Sequence, residues 1–244
     1  MAVSMEALIL IMLALSAGAF VQSLIGFGLA IVSAPILMFI EPSLVPAGLT
    51  LVTLGLAIVN TWQYRSQLSL KGIGWAFVGR LPGTLVASVL LYYLSADALE
   101  LLMGGAVLIA VVASVFKFAV EPNNKNMFWA GFAAAIMGTT TGIGGPPMAL
   151  VLQKMDVIKL RATLAAYFIF SCTISLGAQS MAGYFTLWHV KVSLICLPMV
   201  LASSMLAQKL APRVRAEWVR YGLLTLCGFA GMALLMIWTL PPTV

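Results

Sequence analysis

Two short glycine-bearing breaks interrupt an otherwise apolar chain, at Gln22-Ser23-Leu24-Ile25-Gly26-Phe27-Gly28 and at Thr139-Thr140-Thr141-Gly142-Ile143-Gly144-Gly145-Pro146-Pro147, about half a chain apart. Each falls in a stretch that would otherwise read as one long membrane helix. Unwound backbone survives in a bilayer only where protein or a cavity satisfies its N–H and C=O groups. Interrupted apolar segments in corresponding places of two halves point to a transporter's binding site. A chain built this way is expected to move something across a membrane.

Of the 244 residues, 62% are hydrophobic and 8% charged, with a mean hydropathy of +1.09. That excludes an ordinary soluble domain and predicts an all-α integral membrane protein. The net charge of +6 does not argue for nucleic acid, because the Lys and Arg residues fall in short loops between apolar runs, where they set topology. Cys172, Cys196 and Cys227 all lie in apolar segments, without metal-ligand spacing or a disulfide pattern, and read as packing residues. No metal or cofactor is expected. The run ending in Ser16-Ala17-Gly18-Ala19 looks like a signal-peptide cleavage region, but Glu6 stands where a positive n-region belongs, so it is read as the first membrane helix.

Hydropathy and helix breakers predict helical pieces near 5–24, 29–40, 44–62, 73–94, 98–117, 127–141, 146–153, 162–181, 190–209 and 217–240. The second and seventh are too short to span: twelve residues cover ~18 Å of a ~30 Å hydrocarbon core. Each short piece is therefore paired with its predecessor as a re-entrant hairpin, leaving three full crossings per half. Charge supports this over a single broken crossing. With hairpins, one face collects Arg65, Lys71, Lys117, Lys125, Lys154, Lys159, Arg161, Lys209, Arg213, Arg215 and Arg220, and the other has only Lys191. The broken-crossing topology divides these residues almost evenly, so the positive-inside rule selects hairpins, with both termini outside the cytoplasm.

An offset of 116 residues lays Gly26 on Gly142, Gly28 on Gly144 and Pro82 on Pro198. The expected units are a first membrane repeat over 1–121 and a second over 122–244, integrated in one transport domain. Three full crossings is an odd number, so the second repeat enters from the opposite side and the halves are inverted repeats, bringing the hairpin tips together near the midplane.

At the stretches Gly26-Phe-Gly-Leu-Ala-Ile-Val-Ser-Ala-Pro35 and Thr141-Gly-Ile-Gly-Gly-Pro-Pro147 the sequence resembles the sulfite exporter TauE/SafE family, as it does in size and two-repeat layout. The first stretch departs from the family's glycine-richer form at Leu29 and Ala30. The resemblance implies a multi-pass carrier in the bacterial inner membrane for small sulfur-containing anions: sulfite, thiosulfate, or organosulfonates such as sulfoacetate.

A small monovalent or divalent oxyanion needs hydrogen-bond donors and positive potential without competing carboxylates. The breaks can supply both: Gly26, Gly28, Gly142, Gly144 and Gly145 let backbone N–H groups approach, the helix N-termini after them are partly positive, and Gln22, Ser23, Thr139, Thr140 and Thr141 add side-chain donors. The alternative is that small residues serve packing and the hydroxyls satisfy backbone carbonyls. Arg80, within an apolar segment, carries a donor fork suited to sulfonate or sulfite oxygens, or else snorkels to lipid phosphate. His189, the sole histidine, is either a gate or proton site, or an exposed interfacial residue. The seven Asp and Glu residues all fall near predicted helix ends, which argues against a carboxylate proton relay. Asn60, Gln63 and Gln179 are further polar candidates, the last two being placed near segment ends where water can reach them. The expected partners are a small anion and the bilayer, not nucleic acid, with a monomer or homodimer both open. An anion channel and, more remotely, a membrane enzyme are the alternatives to a carrier.

Overall fold

The structure, a computed structural model, describes residues 3–70, 72–93, 120–211 and 213, with scattered helical positions between 98 and 108. Among the described residues there is helix and no strand. The elements are α1 (Met5–Ile25), α2 (Leu29–Ile40), α3 (Ala47–Gln63), α4 (Gly74–Tyr93), α5 (Asn124–Thr141), α6 (Gly145–Leu152), α7 (Val157–Met181) and α8 (Leu187–Leu210). Of these, α1, α4, α7 and α8 are long and apolar enough to cross a bilayer, while α2 and α3 are shorter apolar helices. The segment predicted at 217–240 lies outside the described residues, as does most of that at 98–117.

Both breaks are real ends of helices. Gly26 closes α1 at φ 95°, with its N–H on Gln22 O at 2.7 Å, and Gly142 closes α5 at φ 80°, with its N–H on Gly138 O at 3.1 Å. This left-handed turn is cheap only without a Cβ. After the first break the chain returns along α1: Ser33 Oγ donates to Ala14 O at 2.9 Å, and a Cβ on Gly18 would meet Leu29 O at 2.5 Å. After the second, Pro146 and Pro147 start α6, their missing N–H groups harmless in a first turn, and Gly144 sits against Gly138 and Ala134. Each break is thus the tip of a helical hairpin.

The hairpins pack across the chain's halves. α1 lies on α8, where Ser203 Oγ donates to Ser16 O at 2.7 Å; α5 lies on α4, where Gly79, Gly83 and Gly131 bring the two backbones into contact. Between these pairs α3 packs on α7 and α8. Helix starts shift from the sequence expectation by three to five residues at α3, α5, α7 and α8, those of α5 and α7 through side-chain caps. Asp156 caps Ile158 N–H at 3.0 Å and starts α7 at Val157, five residues before the expected 162, and Asn123 likewise starts α5 early by capping Asn126 N–H at 2.8 Å. Lys159 and Arg161 are consequently helical rather than loop residues.

Candidate functional site

The two tips and three helices enclose a cavity of about 30 Å³. Gln22, Phe27, Gly28, Ala30 and Ile31 come from the first break and the start of α2; Gly138, Gly142, Ile143, Gly144 and Gly145 come from the second break and its flanks. Thr50 and Thr53 of α3, Arg80 of α4, and Phe168, Ser171, Cys172 and Ser175 of α7 complete the wall. This space admits one or two water-sized groups, so as shaped it suits a compact headgroup. The N-termini of α2 and α6 both abut it, adding the partial positive charge of their helix ends.

Arg80 is the strongest charge in the wall and is 0% exposed. Its Nη2 donates to Ser171 O at 2.9 Å and Ser175 Oγ at 2.6 Å, its Nη1 reaches Tyr167 Oη at 3.5 Å, and its guanidinium carbon is 5.9 Å from the Tyr167 ring centre. The snorkelling alternative does not hold, because the side chain turns inward onto α7. Nε is buried without a partner. Behind Arg80, Ser175 Oγ lies 2.7 Å from Thr139 Oγ1, and Gln179 Nε2 donates to Thr139 O at 2.9 Å and Thr50 Oγ1 at 3.2 Å. Gln179, expected near a wet segment end, is also 0% exposed.

The sequence candidates divide into those in the wall and those behind it. Gln22, Gly28, Arg80, Gly142, Gly144 and Gly145 line the cavity. Gln22 Oε1 accepts from Leu29 N–H at 3.1 Å, which makes its NH₂ the end free for a ligand. Thr139 stands behind the wall, in contact with Ser175. Thr140 and Thr141 turn their hydroxyls back to Ile136 O and Met137 O, both at 2.7 Å, and Thr141 Oγ1 also accepts from Ile143 N–H at 3.2 Å, so they shape the break. Ser23 faces away, 2.6 Å from Ser204 Oγ. Gly26 packs against Arg161 and Leu164 of α7, and Arg161 Nη2 donates to Leu24 O.

His189 is not an exposed interfacial residue; it is buried and does not line the cavity. Its Nδ1 accepts from Thr186 N–H at 3.1 Å, so Nε2 carries the hydrogen and donates to Ser43 O at 2.8 Å. The ring completes a capping box with Thr186 and ties the start of α8 to the turn before α3.

Sequence reasoning named Gln179 but missed Ser171 and Ser175 of the α7 wall. Thr163, Tyr167, Ser171, Ser175 and Gln179 recur at every fourth residue and all are buried, and Ser171 and Ser175 line the cavity. A polar residue at each turn on one side of an apolar helix is the signal that would have found them.

No solved structure matches this chain. A curated relative from Cupriavidus necator, named "Probable sulfite/organosulfonate exporter TauE", is 24% identical over 209 residues, covering 81% of this chain and 82% of its own. The family model described as sulfite exporter TauE/SafE matches residues 10–234, and the chain, whose two breaks carry the motifs of that resemblance, belongs to the sulfite exporter TauE/SafE family.

Proposed function

We propose that this protein is a secondary carrier of small sulfur-containing oxyanions in the bacterial inner membrane, working as an exporter by alternating access around the cavity between the two hairpin tips. The observation that carries this reading is Arg80: a wholly buried guanidinium, with neutral partners and a free Nε, facing two helix N-termini across a compact space. The family and the relative's printed name support sulfite and organosulfonates as the substrate class.

In this reading the units 1–121 and 122–244 are inverted repeats, the hairpins re-enter from opposite faces, and both termini lie outside the cytoplasm. Its support is the exchange of packing partners, α1 with α8 and α5 with α4, together with the crowding of basic residues into the loops and helix ends assigned to one face. Gln22, Gly28, Arg80, Gly142, Gly144 and Gly145 contact the anion; Thr139 positions Arg80 through Ser175; and Ser23, Gly26, Thr140 and Thr141 hold the tips. Rocking one hairpin and its cross-packed helix against the other opens the site to either face.

Counterflow in proteoliposomes tests the transport claim. Vesicles preloaded with unlabelled sulfite accumulate radiolabelled sulfite transiently and saturably through a carrier. Large currents without saturation would replace the carrier with a channel, and no flux of sulfite, thiosulfate or sulfoacetate through folded protein would overturn the reading.

A further inference from the structure

The charge and polarity of the cavity define its guest more narrowly than the family does. All the hydrogen-bond partners of Arg80 are neutral. Among the described residues no Asp or Glu is buried. Among the described residues the titratable groups that face Arg80 are Tyr167 and Cys172, both from α7; the lining positions on α1, α2, α3, α5 and α6 present none. A phenol and a thiol, with ordinary pKa values of about 10 and about 8.5, are neutral at pH 7. Among the described residues the cavity wall therefore carries one positive charge with no acidic partner.

A monoanion cancels that charge. A dianion leaves one negative charge buried without a partner, which a low-dielectric site penalises heavily. The α3 part of the wall adds a second selection. Thr50 and Thr53 donate their hydroxyl hydrogens to Pro46 O at 2.9 Å and Leu49 O at 2.7 Å, one turn back on α3. With those hydrogens committed, the two hydroxyls present lone pairs to the cavity, and Thr50 already accepts from Gln179. Arg80 donates to the cavity and the α3 hydroxyls accept.

We infer that the site takes a singly charged oxyanion bearing its own hydrogen, with Arg80 holding the charged oxygens and Thr53 accepting from the ligand's O–H. This rests on the transport reading above and narrows its substrate: hydrogen sulfite rather than sulfite dianion, and a dianionic organosulfonate only in its protonated monoanionic form. The proton then crosses with the anion, and no protein carboxylate is required to carry it.

Calorimetry on the full-length protein in nanodiscs, from about pH 6 to about pH 8, tests this with four probes. Sulfite ionises a second time near neutrality, methanesulfonate is a fixed monoanion, and sulfate and thiosulfate are fixed dianions. On total sulfite, the Kd is expected to rise about tenfold per pH unit above the ligand's ionisation, as uptake of one ligand proton requires, while the methanesulfonate Kd stays flat. Sulfate and thiosulfate bind at least tenfold more weakly than methanesulfonate. Thr53→Val weakens hydrogen sulfite more than methanesulfonate, whose retained binding reports that the variant is folded. A sulfite Kd that ignores its ionisation, or dianions that bind as tightly as methanesulfonate, overturns charge matching; equal effects of Thr53→Val on the two monoanions remove the Thr53 contact. Dianion binding that is lost in Arg80→Gln would leave the site standing and defeat only this inference. If no probe binds, or all bind Arg80→Gln as they bind wild type, the site itself fails.

Discussion

Each hairpin tip has a buried polar cluster beside it, and the two clusters are built differently. Next to the first, Ser23 Oγ meets Ser204 Oγ at 2.6 Å, Ser204 reaches Asn60 Oδ1 at 3.4 Å, and Gln208 Nε2 spans Asn60 Oδ1 and Ser204 Oγ, each at 3.3 Å. That network is neutral and bonded within itself. Next to the second, Thr139, Ser175 and Arg80 form a chain that ends in a charge, with Arg80 Nε and Gln179 Oε1 left without partners. The repeat offset of 116 lays Ser23 on Thr139 but Arg80 on Cys196, so the cation has a place in one arm only. A self-satisfied network contributes fold and contact between helices; an unsatisfied, charged one is costly unless a ligand completes it.

The sharpest way to break this contrast is to neutralise the charged arm alone. Arg80→Gln removes the cation, and binding of sulfite by calorimetry is expected to fall by about 3 kcal/mol or more, roughly 100-fold, the scale for deleting one partner of a buried charge pair. The melting temperature should hold or rise, because the free protein no longer buries an unpaired charge. Cys196→Ser, at the matching position of the other arm, leaves binding unchanged. Undiminished affinity in folded Arg80→Gln would make the two arms equivalent and end the comparison.

The tips differ in why they need glycine. Gly28 sits at φ 130°, where any L side chain is strained, and its Cβ would also lie 2.9 Å from Val21 Cγ1. Gly144 has an ordinary φ of −94°, but its Cβ would fall 2.8 Å from Ala134 O and 3.1 Å from Gly138 Cα. Gly28→Ala and Gly144→Ala should each lose about 1–3 kcal/mol, the first through strain and the second through overpacking. Thermal melts of the pair Gly28→Ala and Val21→Ala decide the first cause. Relieving the side-chain contact should recover little stability; full recovery would show that crowding, not backbone conformation, demands glycine there. Gly144→Ala should also weaken anion binding, since the obstacle is backbone and α6 itself must move.

Most of the described helices and both tips were legible because closely spaced glycines such as Gly26 and Gly28 weaken a helix that the apolar residues on either side would otherwise continue. Arg80 stood out because a lone cation in an apolar segment is rare. The α7 wall was not legible by that search. Taken singly, Ser171 and Ser175 are ordinary residues in a membrane helix, where a hydroxyl often bonds one turn back as Thr173 does to Ile169 O at 2.7 Å, and only the four-residue polar spacing sets Ser175 apart from Thr173. What ties Ser175 to the site is Arg80, 95 residues away in sequence. The threonines of the second tip show the converse: their composition suggested anion donors, yet Thr140 and Thr141 spend their hydrogens on Ile136 O and Met137 O. His189 looked interfacial from its neighbours Trp188 and Lys191, and only the turn at Ser43 shows why it is buried.

The finest test compares two serines, one from each network. Ser175→Ala deletes the 2.6 Å bond from Arg80 Nη2 and the contact with Thr139, while Nη2 keeps Ser171 O and Nη1 keeps its approach to Tyr167. A bond to a charged group is worth about 1.5–3 kcal/mol, but the guanidinium stays buried and can turn the freed donor to the anion, so the expected loss of affinity is at the low end, about tenfold. Ser204→Ala removes the short neutral bond to Ser23 and the longer contacts with Asn60 and Gln208, and should cost about 0.5–1.5 kcal/mol of stability per bond lost without touching affinity. Measured together, melting temperature and Kd should move in opposite proportions for the two variants. If both serines changed affinity alike, the first cluster would be part of the ligand's environment, and the division between a structural arm and a charged arm would have to be abandoned.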